Sequence, residues 1–308
     1  MFHGIRFIPD DTTLPFMRYS RYGFLLSGIL CIVAMLTFFV HGLNYGIDFK
    51  GGTLIEVRTL ANATIGDLRD RINGLGLGEA ELQEFGAPND ILIRLETQPG
   101  GDAAQAQAVS KVTAALGKDV EIRRVELVGP KVSGELTQEG TIAVIAAVIL
   151  VLVYIWFRFE WQFGLGAVAS LLHDVIITIG MLSILRIEFN LNIIAAILTI
   201  IGYSLNDTVV IYDRIREYLR KYKKMPFVDL INAALNSTLA RTIITGTSTL
   251  IALLALYLFG GEVIRGFTFT MIFGVLVGTY SSLFIAAPVL IILGSVREAK
   301  TQPAEARP

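Results

Sequence analysis

Six stretches of this chain stay apolar for about the 20 residues a helix needs to cross a bilayer core of about 30 Å, at 22–41, 140–157, 163–185, 191–212, 240–261 and 266–293. The interval 42–139 between the first two has the mixed pattern of a folded domain. Ile55 and Val57 alternate with Glu56 and Arg58, as in a strand with one buried face. Thr64 stands as a helix cap with Asp67 three residues on; Ile65, Leu68, Ile72 and Leu75 share one face, and Gly74, Gly76 and Gly78 end the helix. Short strands near 81–85 and 91–95 follow, separated by the turn residues Gly86, Pro88, Asn89 and Asp90. A second amphipathic helix carries Val109, Val112 and Leu116 and stops at Gly117, before a last strand over 120–128. The order βαββαβ predicts a ferredoxin-like α+β domain set between the first and second of six membrane helices.

Composition agrees with a polytopic α-helical membrane protein: 53% of residues are hydrophobic, 17% are charged, and the mean hydropathy is +0.61. The first apolar stretch follows Arg18 and Arg21, is too long for a removable leader and lacks a small-residue cleavage site, so it reads as a retained anchor. The connection after the fourth stretch carries Arg214, Arg216, Arg220, Lys221, Lys223 and Lys224, whereas the loops at Arg186 and Glu188 and at Glu262 and Arg265 are short and balanced. Positive-inside then places both termini, 1–21 and 294–308, in the cytoplasm and the 42–139 domain outside it. That domain has 15 acidic and 10 basic residues, but long loops translocate largely regardless of charge. A net charge of -1 with no basic stripe gives no reason to expect nucleic acid. One cysteine, Cys31, permits no internal disulfide, and three histidines in no ligand spacing argue against zinc.

Within this apolar frame the costly residues stand out. Asp207 lies inside the fourth stretch, where a carboxylate costs roughly 2.5 to 3.5 kcal/mol on insertion scales. His173 and Asp174 sit near the middle of the third. The fifth begins near Arg241, with Thr245 and Ser248 at i+4 and i+7, a stripe that, with Asn206, is expected to face the bundle interior. In one reading Asp207 and Arg241 form a static ion pair, with His173 and Asp174 hydrogen-bonded for packing. In the favoured one Asp207 gains and loses a proton, Arg241 biases that step, and His173 with Asp174 extend the relay. Burial and an opposing charge pull a carboxylate's protonation in opposite directions, so a small geometric change switches it. One proton crossing 100 mV releases about 2.3 kcal/mol, a bias of nearly fiftyfold.

Weaker signals change little. Gly274, Gly278, Ser282 and Ala286 form a small-xxx-small ladder whose neighbour is in this chain or in another. The Gly46–Thr53 run lacks the spacing of a phosphate loop. The triplets at Asn62, Asn206 and Asn236 match the glycosylation pattern at a rate expected by chance.

Ordered motifs then carry a resemblance over about residues 17–295. They are Gly46-Ile-Asp-Phe-Lys-Gly-Gly-Thr after the first span, Val128-Gly-Pro-Lys-Val-Ser-Gly-Glu-Leu before the second and Phe157-Arg-Phe-Glu at its end. Leu172-His-Asp follows in the third, and Ser204-Leu-Asn-Asp-Thr-Val-Val-Ile-Tyr-Asp-Arg in the fourth. The chain resembles the SecD/SecF family of the bacterial Sec protein translocase, on its SecF side, within the resistance-nodulation-division superfamily. The resemblance implies one six-helix half of a pseudo-symmetric pair, completed by SecD beside the SecYEG channel in the inner membrane. YajC and a YidC-type insertase are further implied partners. The implied work is to draw preproteins outward with the proton motive force and no cofactor. It also implies that Asp207 and Arg241 match the proton-pathway pair and His173 and Asp174 the third-span motif. Gly46, Asp48, Gly51, Gly52, Gly129 and Pro130 belong to family motifs, where Gly51 and Gly52 are expected to serve backbone geometry.

Two other classes are weighed. A half of a small-molecule exporter acting as a homodimer would need no second subunit. An intramembrane aspartyl protease would use Asp174 and Asp207, but the Gly-x-Gly-Asp context is absent.

Overall fold

The computed structural model describes residues 12–59, 65–78, 80–117 and 120–293. The Asn62 triplet and the Thr64 cap lie outside them. In chain order the elements are α1 (Phe16–His41), β1 (Asn44–Tyr45), α2 (Ile47–Lys50), β2 (Gly52–Thr59), α3 (Ile65–Asn73), β3 (Glu81–Phe85), β4 (Ala87–Leu95), α4 (Gly101–Leu116), β5 (Val120–Val128), α5 (Pro130–Arg158), α6 (Trp161–Ile184), β6 (Glu188–Phe189), α7 (Leu191–Lys221), α8 (Phe227–Phe259), α9 (Arg265–Ser281) and α10 (Ala287–Ile292). They form two compact units. Residues 44–144 with 188–194 make one, and the remaining helical segments make the other.

Among the described residues, six helices are long and apolar enough to cross a membrane: α1, α5, α6, α7, α8 and the α9–α10 pair. Several outrun their apolar stretches. α7 continues through Arg214, Arg216, Arg220 and Lys221, so these cations sit on a helix end rather than in the connection expected from the sequence. α8 starts at Phe227, which puts Arg241 fourteen residues inside the helix instead of at its beginning. The first turns of α8 are amphipathic, burying Leu230, Ile231, Ala234 and Leu235 while Asn236 Oδ1 accepts the Leu14 N–H just before α1 and Asn232 Oδ1 accepts the Met17 N–H in its first turn. A purely apolar window misses such a segment because half of its face is polar.

Between α9 and α10 the helix widens into a π-turn over Ser282–Ala286, just ahead of Pro288. Proline has no N–H for the preceding turn and crowds it, and widening relieves the conflict. Tyr212, fully buried, donates from its hydroxyl to the Ala286 carbonyl at 2.9 Å.

The small-residue ladder packs inside this chain. A Cβ on Gly274 would fall 2.2 Å from Ile200 Cδ1, and one on Gly278 would fall 2.9 Å from Ser204 Cβ, both on α7. Gly180 on α6 meets Ala34 on α1 as closely, at 2.2 Å. Gly274→Val should therefore force α9 and α7 apart and lower the thermal unfolding midpoint of the detergent-purified protein, at a cost of about 1–3 kcal/mol. An unchanged midpoint would contradict this packing.

The β-rich unit is a four-stranded antiparallel sheet in the order β3-β4-β2-β5, with α3 and α4 as the two crossings. This is the ferredoxin-like arrangement expected from βαββαβ. Ile55 and Val57 of β2 and Ile91, Ile93 and Leu95 of β4 meet Leu68 and Ile72 of α3 and Val112 and Leu116 of α4 in one core. Val109 is only half-buried; Ala108 takes the inner place on α4.

The β3–β4 turn is shorter than expected. Only Gly86 intervenes, with φ +81°, and Asn89 and Asp90 already belong to β4. Asp90 stands opposite Arg58 and accepts from its Nε at 2.6 Å and its Nη2 at 2.8 Å, so a cross-strand ion pair recruits residues that composition assigns to a turn. The paired guanidinium holds the Asp90 carboxyl below its ordinary value. A depressed folded-state value means that this contribution is present above the unfolded carboxylate range and is lost as pH falls through the folded value. Acid unfolding of the full chain, followed by circular dichroism, should begin at higher pH in Arg58→Leu than in the wild type. Coincident acid transitions would refute the role given to the pair.

Candidate functional site

The polar centre of the membrane unit is built from three helices. On α6, Ser170, His173 and Asp174 lie at i, i+3 and i+4 and share a face. α7 brings Ser204 and Asp207 one turn apart, and α9 brings Ser281. The bare Gly278 surface lets α9 come close to Ser204, so both serines reach the same carboxylate.

Asp174 is fully buried and well satisfied. Ser204 Oγ donates to its Oδ2 at 2.6 Å and Ser281 Oγ at 2.8 Å, while His173 Nδ1 lies 2.9 Å from Oδ1. With Asp174 ionised, the imidazole N–H donates there. Ser170 Oγ extends the chain to Ser281 Oγ at 2.9 Å. The His173 ring stacks on Tyr280, whose hydroxyl donates to the Gly23 carbonyl and accepts from Ser27. A carboxylate with charge-assisted hydroxyl donors in a dry interior is held firmly in one geometry.

Asp207 is the opposite case. It is 3% exposed, and its Oδ2 accepts no hydrogen bond from the protein. The static ion pair with Arg241 weighed from the sequence does not form: Arg241 is exposed and makes no ion pair with Asp207 among the described residues. The expected inward stripe is likewise corrected. Asn206, Arg241 and Ser248 are exposed on the outside of this six-helix unit and Thr245 is half-buried, with Ser248 Oγ turned onto its own helix at the Thr245 carbonyl. Periodicity placed Arg241, Thr245 and Ser248 on one face of α8 but could not tell which side of the bundle that face covers. Nor do Asp174 and Asp207 share a hydrogen bond, the arrangement an aspartyl dyad requires.

The sequence reading gave no site role to Ser170 and Ser281 and carried Ser204 only as the first residue of the fourth-span motif. Serine is tolerated in membrane helices as a packing residue, so it draws little notice. The usable signal was Ser204 placed one turn before Asp207.

The family motifs fall into two structural groups. Arg158 Nη2 lies 2.5 Å from Asp213 Oδ2, and the guanidiniums of Arg158 and Arg216 sit over the Phe159 ring, which packs edge-on against Tyr212. This joins the Phe-Arg-Phe-Glu motif to the Tyr-Asp-Arg motif. In the other group, the Gly46 N–H donates to the Phe189 carbonyl at 2.9 Å, and Asp48 Oδ2 accepts the Leu191 N–H at 2.9 Å. Gly51 and Gly52 have φ +70° and +118°, and a Cβ on Gly52 would fall 2.4 Å from the Leu95 carbonyl oxygen, so glycine is required. Gly129 accepts the Ser133 N–H at 3.0 Å, and Pro130 opens α5 in the first helical position, where its missing N–H costs nothing.

Two family models match the chain, one described as protein export membrane protein SecD/SecF, C-terminal, over residues 108–296, and one as the SecD/SecF GG motif over residues 37–59. The protein translocase subunit SecF of Desulfurispirillum indicum is 43% identical over 90% of this chain and 91% of its own length. The protein translocase subunit SecDF of Brucella abortus is 43% identical over 94% of this chain, which spans 38% of that protein. The crystal structure of SecDF from Thermus thermophilus, a translocon-associated membrane protein, matches with TM-score 0.84 and 34% identity over 93% of this chain and 39% of that one. Six candidate spans, a ferredoxin-like insertion, the two family models and 43% identity across nearly full-length SecF agree: the chain belongs to the SecF branch of the SecD/SecF family, transport proteins of the Sec protein-export translocase.

Proposed function

We propose that this chain, paired with SecD, couples the proton motive force to the outward movement of preproteins through a SecYEG-type channel. The observation that carries the reading is Asp207: a buried carboxylate oxygen with no protein donor, midway along a 31-residue candidate span and one turn from the Asp174 network. A carboxylate kept in hydrocarbon without a fixed partner has a reason to be there when it exchanges a proton. Arg241, Asn206 and Ser248 stand on the adjoining exposed surface. Lipid covers such groups poorly, so a second six-helix half is needed beside them. SecD is that half in this reading, supported by relatives named SecDF whose chains are more than twice as long. YajC and a YidC-type insertase are further associates. Both termini lie in the cytoplasm of a cell whose inner membrane holds the complex, with the ferredoxin-like unit outside; the cations on the α7 end support that orientation.

The test is export of a preprotein into inverted membrane vesicles containing SecYEG, with this chain and SecD added singly or together. Stimulation is expected only with both, and it should collapse when a protonophore is added. Stimulation that persists without a proton gradient, or with this chain alone, would contradict the reading.

A further inference from the structure

The α6–α7 connection leaves the membrane unit after Ile187. Residues 188–194, including the first four residues of α7, belong to the same compact unit as the ferredoxin-like domain. Three contacts hold them there. β6 pairs in parallel with β1, Asn44 opposite Glu188 and Tyr45 opposite Phe189. Asp48 Oδ2 caps the first amide of α7 at Leu191, where an anion meets both the unpaired N–H and the positive end of the helix dipole. Glu188 Oε2 lies 2.7 Å from Arg94 Nη2 on β4, with both side chains mostly buried, at 23% and 13% exposure. Tyr45, Phe49 and Phe189 close an aromatic cluster beside them. The Gly46 surface fits this arrangement, because a Cβ there would fall 2.6 Å from Glu188 Oε1.

α7 then runs without a break from Leu191 to Lys221 and carries Asp207. A displacement at Asp207 or at residues 188–194 therefore has an unbroken helix, capped at its start, along which to travel. We propose that Asp48, Arg94 and Glu188 form a clamp that fixes the start of α7 to the ferredoxin-like domain and transmits movement between Asp207 and that domain. They are positioning residues, and the inference rests on the proton-driven reading above. Neither the ion pair nor the cap takes part in the apolar core of the sheet, which Ile55, Val57, Ile91, Ile93 and Leu95 build with α3 and α4.

Charge exchange tests it in vesicles containing the assembled complex. Glu188→Arg and Arg94→Glu are each expected to cut the protonophore-sensitive component of export about fivefold, the order of one lost capping or buried charged contact, while leaving the residual component and the recovery of SecD unchanged. Combining them should restore most of it; Glu81, the other carboxylate at Arg94, is 71% exposed and its repulsion in the swap is screened. Hydrogen exchange over residues 188–194 should rise in the single variants and fall again in the double one. Wild-type export in both single variants, a loss that the swap does not restore, or equal loss of both export components would overturn the clamp. If the single variants fail to assemble, Glu188→Gln and Asp48→Asn replace them, and normal proton-dependent export with unchanged exchange in both would overturn it as well. Should the wild type show no proton-dependent component, the proton reading fails by itself. The exchange data then decide the clamp: restored protection in the swap supports it, and unchanged exchange in the single variants overturns it.

Discussion

Asp207→Asn should remove the proton-dependent part of export, by roughly the fiftyfold bias that one proton crossing 100 mV supplies, while the complex with SecD still assembles. The substitution keeps the size and shape of a buried side chain on α7 and deletes only its capacity to gain and lose a proton. Because Oδ2 accepts no hydrogen bond from the protein, the amide breaks no existing contact there and stability should hardly change. That separation is what makes the variant informative: activity and stability should part company. Export measured in energised vesicles, beside the yield of SecD recovered with the chain, reads both. Wild-type stimulation by Asp207→Asn would end the proton reading.

Asp174 should behave in the reverse way. Asp174→Ala leaves the hydroxyls of Ser204 and Ser281 and the His173 imidazole facing an empty, dry site, and should cost about 3 kcal/mol of stability as well as export. Asp174→Asn keeps an acceptor, and serine hydroxyls can turn to accept from its amide, so the fold should survive far better. Thermal unfolding of the three proteins in detergent distinguishes these outcomes. Equal midpoints for Asp174→Ala and the wild type would show that the network contributes nothing to holding α6, α7 and α9 together.

Much of this architecture was legible in the residues. Alternation at Ile55 to Arg58 and the order of short elements after it specified the ferredoxin-like sheet, because a strand with one buried face has a period of two and leaves few arrangements open. Apolar length specified six spans, but not their ends. The early turns of α8 and the late turns of α7 carry polar faces, and charged helix ends look like loops to any rule that counts only apolar residues. The site was half legible. Asp207, His173 and Asp174 announce themselves because charge in hydrocarbon is rare. Ser204 and Ser281 do not, and their role depends on the close approach at Gly278, a distance between helices remote in sequence. Arg241 shows the limit most plainly. Its helical spacing was read correctly, but spacing could not show that its side chain stays exposed and makes no ion pair with Asp207 while its charge still acts on that carboxylate.

The most direct measurement is infrared difference spectroscopy of the complex with SecD in lipid, recorded across a pH titration. A protonated-carboxyl stretch that grows as pH falls, disappears in Asp207→Asn and persists in Asp174→Asn is the predicted result. The same titrating band in Asp207→Asn as in the wild type would contradict the claim that this carboxylate carries the proton.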